Sequence, residues 1–308
     1  MDLHALLIEP FTHRFMARAL LVAILLGVSG ALVGCVLILR RLALVADSFG
    51  HALLPGVAIA YLIAGPSLLA LCLGGLVAGL VTALAAGVLS RVTRLKEDAA
   101  FGAMFVGLFA LGAAILSRVA APADLGHYLF GNILGVAAAD ARLAAAAAGI
   151  TVLALAIGWR SVVLECFDRG FHRAAGGASA TVHAAILMLT VLNLVAALHS
   201  VGLVLALGLF VLPAVTAQLW CERIGRLLLT AGLIGPLGAG LGLLLSYHLD
   251  LPSGASMVLV LGAGFALSAL IAPHGVLRRW RRRRGHQVEG GDDACTVAPA
   301  AASASVPR

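Results

Sequence analysis

Asp47 and His51 stand four residues apart in ALVADSFGHALLPG, residues 43–56, a stretch that is otherwise apolar and small. A carboxylate and an imidazole at that spacing share one helix face, one turn apart. The pair can help hold a divalent cation or pass a proton inside a membrane. With a third ligand, an open water position and a general base it could also serve a hydrolytic metal. Three plainer roles compete with these. Asp47 could cap a helix that begins late, the two side chains could form an intrahelical hydrogen bond, or they could pack against another span.

Depth sharpens the question. If Arg41 marks the cytoplasmic edge of a span, a rise of 1.5 Å per residue puts Asp47 about 9 Å and His51 about 15 Å inward, close to the middle of a ~30 Å hydrocarbon core. An ionised aspartate there costs at least about 2.5–3.5 kcal/mol on insertion scales. It therefore needs a partner or a water-filled cavity. One Asp and one His coordinate a divalent cation poorly alone. A twofold dimer, the commonest homo-oligomer, would bring two of each together and make a tetrahedral zinc set or part of a manganese shell.

The elements that must position this pair also carry signals. Pro55-Gly56 follows His51 by one turn, and a proline removes a backbone hydrogen bond and kinks a helix. Pro213 interrupts a later apolar run, LGLFVLPAVTAQLW, in a manner loosely like HALLPGVAIAYL. Paired interrupted helices mark substrate paths in membrane transporters, so Pro55, Gly56 and Pro213 are expected to break helices along a pathway.

The chain around them is hydrocarbon-rich: 62% of its 308 residues are hydrophobic and 11% are charged, with mean hydropathy +1.07. Soluble domains run near about 25% charged, so this is an integral membrane protein. Apolar runs at 17–39, 43–64, 67–90, 99–118, 139–158, 182–198, 201–220, 227–247 and 255–272 are each long enough to cross a bilayer. The fold class is all-α, a polytopic transmembrane bundle of eight or nine spans, the second and fifth being the weakest. With the basic tail RRWRRRR placed in the cytoplasm, only Arg14, Arg18, Arg118 and Arg142 among the basic residues fall outside. That asymmetry favours nine spans and an external N-terminus. The segment up to Phe15 carries acids and histidines rather than a cleavable signal pattern, so the first span is expected to act as its own insertion signal.

Residues 1–277 read as the membrane domain and 278–308 as a polybasic, disordered cytoplasmic tail whose arginines could hold anionic membrane lipid. The bias towards arginine implies no nucleic-acid partner. The five cysteines lack C-x-x-C spacing and read as small hydrophobes. A cytoplasmic segment at about 161–180 mixes charge with aromatics in ECFDRGFHRAAGGASA. It is expected to form a short amphipathic helix ending at Gly176-Gly177, with Phe167 and Phe171 on one face. Such a helix could lie on the membrane surface or dock a partner.

The chain resembles the membrane-spanning subunits of bacterial ABC importers for zinc, manganese and iron. The likeness runs from Glu9 to Val260 through EPFTHRFMARALL, LILRRLALVADSFGHALLPGVAIAYL, RLKEDAAFGAMFVGLFALGAAILS, LFGNIL, FDRGFHRAAG, VGLVLALGLFVLPAVTAQL and LDLPSGASMVLV, in that order. The resemblance implies a homodimer or paired permease in the inner membrane, with cytoplasmic ABC ATPase subunits and an extracytoplasmic metal-binding receptor as partners. It implies a metal site at Asp47 and His51, and an ATPase-coupling segment comprising Glu165, Asp168, Phe171 and Gly176. The sequence departs from the family at Phe49-Gly50, where an aliphatic residue followed by serine is commoner.

The chain cannot itself be the ATPase. A Walker A loop needs a lysine after its glycines, and the sole lysine, Lys96, sits in RLKED. The expected function is therefore transport of a divalent transition metal by a non-enzymatic subunit with no resident cofactor. The alternatives are a proton-coupled secondary transporter using the same pair, and an intramembrane metalloenzyme. The latter lacks an H-E-x-x-H or second acidic motif within a span.

Overall fold

A computed structural model describes residues 14–65, 67–117 and 133–273; the N-terminal segment and the polybasic tail predicted at 278–308 lie outside the described residues. Within these ranges the chain is helical, without strands: α1 (Arg14–Leu39), α2 (Ala43–Ala52), α3 (Leu54–Ala64), α4 (Leu68–Val92), α5 (Glu97–Leu116), α6 (Ala138–Ile157), α7 (Trp159–Phe167), α8 (Arg169–Ala174), α9 (Ser179–Val201), α10 (Leu203–Trp220), α11 (Ile224–Leu249) and α12 (Ser253–Ile271). Nine stretches among the described residues are long and apolar enough to cross a bilayer, with α2 and α3 together making the second. Their limits follow the predicted spans closely, and the eight-span alternative is not realised.

Hydropathy does not separate inside from outside in such a bundle, because lipid is as apolar as leucine. Small residues that let backbones meet do. α1 is the most enclosed span, 67% buried over its apolar window against 17% for α4 and α5. It reaches that centre through glycines. A Cβ on Gly27 would lie 3.0 Å from the Pro236 nitrogen of α11, and one on Gly34 would overlap the Phe210 carbonyl of α10. α3 and α4 cross where Gly56 and Gly74 face each other's carbonyl oxygens. One buried polar contact joins α9 to α6: Asn193 Nδ2 donates to Thr151 Oγ1 at 2.6 Å. Such interhelical bonds are worth about 0.6 kcal/mol on average.

The predicted breaks are only partly realised. The second span does part into two helices, at Leu53, and Pro55 sits in the first turn of α3, where its missing N–H costs nothing. Gly112 admits the break: a Cβ there would stand 2.9 Å from the Pro55 nitrogen. Gly56 is not a break. It is a packing glycine within α3, held against Gly74. Pro213 also fails to break its span, because α10 runs unbroken from Leu203 to Trp220 with Pro213 buried inside it. One lost backbone bond is tolerated in a membrane helix whose neighbours hold it in place, and α10 packs on α1, α11 and α12.

Candidate metal path and coupling segment

The ten residues of α2 span about 15 Å at 1.5 Å each, so the break at Leu53 falls at the middle of the 22-residue candidate span Ala43–Ala64, with His51 beside it. Asp47 lies in the middle of α2, which begins at Ala43, so it caps nothing. Its Oδ1 is 3.8 Å from His51 Nε2, too far for a hydrogen bond. Two of the plainer readings are therefore set aside. Phe105 and Phe109 of α5 hold the imidazole, with centroids at 5.1 and 5.3 Å, and Phe49 packs on Phe101 of the same helix at 5.1 Å. His51 Nδ1 is buried without a protein hydrogen-bond partner among the described residues.

The other side of the pair is open. The Asp47 side chain is 52% exposed in the single chain, on a face that also leaves Leu44 exposed. A carboxylate in that position cannot be left to hydrocarbon, so another protein surface or a water-filled space must cover it. A single copy offers no complete cage: the described residues contain no group of three or more His, Cys, Asp or Glu side chains able to hold a metal.

Between the fifth and sixth candidate spans the predicted amphipathic helix divides in two. Asp168 leaves helical geometry at φ −147° and ψ 96°, ending α7, and its Oδ1 accepts the Phe171 N–H at 2.9 Å to cap α8. Phe167 and Phe171 therefore lie on different helices, although both remain exposed, at 74% and 59%. Gly176, at φ +77°, ends the segment where a side chain would be strained. Asp168→Ala removes an N-cap worth about 1 kcal/mol. Faster hydrogen exchange confined to residues 168–177 is the expected result.

Glu165, which the resemblance places in the coupling segment, is only 2% exposed and lies beneath the exposed part of that segment. His172 Nδ1 donates to its Oε2 at 2.8 Å, while Arg169 Nε and Arg40 Nη2 stand 3.4 and 3.5 Å from its Oε1. Arg169 also pairs with Glu97 at 3.5 Å. Arg40 Nη2 lies 2.6 Å from His183 Nδ1, whose Nε2 lies 2.7 Å from Glu97. A guanidinium can only donate, so Nδ1 accepts and Nε2 carries the ring hydrogen beside Glu97. Burial alone would push the Glu165 carboxyl up. The hydrogen bonds from His172 and Ser179, with the charges of Arg40 and Arg169, outweigh it and hold the carboxyl below its ordinary range. Its contribution to stability is therefore present above the ordinary carboxylate pKa and is lost only as pH falls through the lower folded value.

Sequence reading missed Arg40, Glu97, Arg169, His172 and His183 as a group. The available signal was that these residues all fall at, or in the segments between, the ends of predicted spans expected to face the cytoplasm.

Residues 12–272 match the ABC 3 transport family. The chain belongs to that family. ABC-3 relatives cover most of its length. It is 36% identical over 283 residues to the manganese transport system membrane protein MntC of Halalkalibacterium halodurans, covering 91% of this chain and 96% of that one. It is 35% identical over 272 residues to the chelated iron transport system membrane protein YfeD of Yersinia pestis, covering 88% and 90%. Among solved structures, PsaBC from Streptococcus pneumoniae in complex with Fab superposes with TM-score 0.79 at 29% identity, over 90% of this chain and 98% of that one. This ABC-3 protein is thus a multi-pass bacterial inner-membrane permease subunit for metal transport.

Proposed function

We propose that two permease chains, identical or paired, form the membrane part of an ATP-driven importer for a divalent transition metal, with Asp47 and His51 of each lining the path. The observation that carries this reading is the half-exposed Asp47 carboxylate beside His51, on an open face of α2 within the second candidate span. A second chain over that face would supply the missing donors and remove the cost of leaving a charge in lipid. Two carboxylates and two imidazoles suit zinc, manganese and iron alike. The relatives named for manganese and chelated iron support that class of cargo. The metal is substrate here, held briefly and released.

The exposed Phe167 and Phe171, with the capped turn at Asp168 and the bend at Gly176, form the surface on which a cytoplasmic ABC ATPase docks. An extracytoplasmic receptor delivers the ion from the opposite side. The test is uptake of radiolabelled manganese, zinc and iron into proteoliposomes containing the permease with its ATPase and receptor. ATP-dependent accumulation of at least one metal is expected. Accumulation that follows an imposed proton gradient and ignores ATP would replace this reading with a secondary transporter.

A further inference from the structure

We propose that Glu165 is a positioning residue that ties the ATPase-facing segment to the two helices bearing on His51, so that movement of the segment reaches the metal path; this rests on the functional reading above. Two routes leave Glu165. The first runs through Arg40, whose side chain is 1% exposed and sits on the turn between α1 and α2. The next residue, Arg41, has φ +60°, a left-handed conformation uncommon outside glycine, and α2 starts two residues later at Ala43. The turn held by Glu165 is thus the base of the helix that carries Asp47 and His51.

The second route runs through Arg169, which touches both Glu165 and Glu97. Glu97 is the first residue of α5, the helix whose Phe101, Phe105 and Phe109 pack on Phe49 and His51. His183 of α9 closes the loop between Arg40 and Glu97. Two guanidinium groups thus meet two carboxylates, with His172 beside Glu165 and His183 between Arg40 and Glu97.

A purely adhesive role explains this arrangement poorly, since well-packed apolar side chains stabilise a buried site as well as or better than an ion pair does. A polar cluster instead fixes one arrangement among alternatives. Here it fixes the α8 segment against α2 and α5 as a unit. Because Glu165 is buried under α8 rather than facing the cytoplasm, loss of its charge should leave the docking surface in place.

The experiment reconstitutes wild type, Glu165→Gln and Glu165→Asp with the ATPase and receptor. It measures ATPase co-purification, metal binding to the detergent-solubilised permease, and ATP hydrolysed per metal ion accumulated. Glu165→Gln is expected to retain the first two and to raise the third by roughly 5- to 150-fold, the span of typical coupling strengths. Glu165→Asp is expected to recover part of that loss. A wild-type ratio in Glu165→Gln overturns the proposal, and so does loss of ATPase binding, which would make Glu165 part of the dock. Should Glu165→Gln fail to yield a monodisperse complex, Glu97→Gln decides: it cuts only the second route, and an unchanged ratio there overturns the proposal. Failure of the wild-type complex to accumulate metal with ATP would instead refute the importer reading itself.

Discussion

Replacing Asp47 with asparagine is expected to lower metal uptake by two orders of magnitude or more, with the protein still inserted and still bound to its ATPase. Removing a mere outer-shell partner of a metal ligand costs about 10–100-fold, and a direct carboxylate ligand should cost at least that. Asparagine preserves shape and volume, and Asp47 makes no side-chain hydrogen bond among the described residues, where its ionic neighbour is His51 at 3.8 Å. The fold therefore loses little when the charge is removed. His51→Ala should abolish uptake equally, but it also empties the space between Phe105 and Phe109. Aromatic contacts of this kind are worth about 0.5–1.5 kcal/mol each, so a modest fall in thermal stability should accompany the transport defect. The asparagine variant is the cleaner test. Radiolabelled uptake at wild-type rates in both variants would remove the pair from the path.

The reason Asp47 and His51 were legible in sequence, while the Glu165 cluster was not, is physical. A charge within an apolar run stands out against its neighbours, and the four-residue spacing alone places the pair on one face. Glu97, Arg169 and His183 belong to different segments near span ends, where charged residues are ordinary, and only tertiary packing brings them together. Arg40 was legible merely as a marker of orientation. The nine spans were readable because length and apolarity decide whether a helix crosses a bilayer. Which of them lie inside was not, since α1 and α4 are comparably apolar and differ in where their glycines meet another backbone. Pro213 misled for a related reason: a proline withdraws one hydrogen bond in any helix, but whether the helix parts there depends on its neighbours. At Pro55 the neighbour is Gly112, which leaves room for the displaced backbone, while Pro213 is buried in an unbroken helix.

That dependence on glycine leads to the largest expected effect on stability. Gly34 sits where α1 presses on the backbone of α10, and a methyl group there would overlap the Phe210 carbonyl oxygen, its carbonyl carbon lying 2.8 Å away. These are backbone atoms within a helix, so no side chain can swing aside. The most enclosed span and a neighbour it packs against extensively would have to separate, and with them the contacts around Phe210. Overpacking in cores usually costs about 1–3 kcal/mol where side chains can adjust, and Gly34→Ala should exceed that range. Gly149 of α6 makes the contrast, because a Cβ there meets nothing within 4 Å in the chain. Gly149→Ala removes only the conformational freedom of a helical glycine and should stabilise by roughly 0.5–1 kcal/mol. Thermal unfolding of the two variants in detergent should thus move in opposite directions, with Gly34→Ala giving little folded protein. A Gly34→Ala variant as stable as wild type would mean that α1 and α10 do not meet as closely as described, and the central packing of the bundle would have to be redrawn.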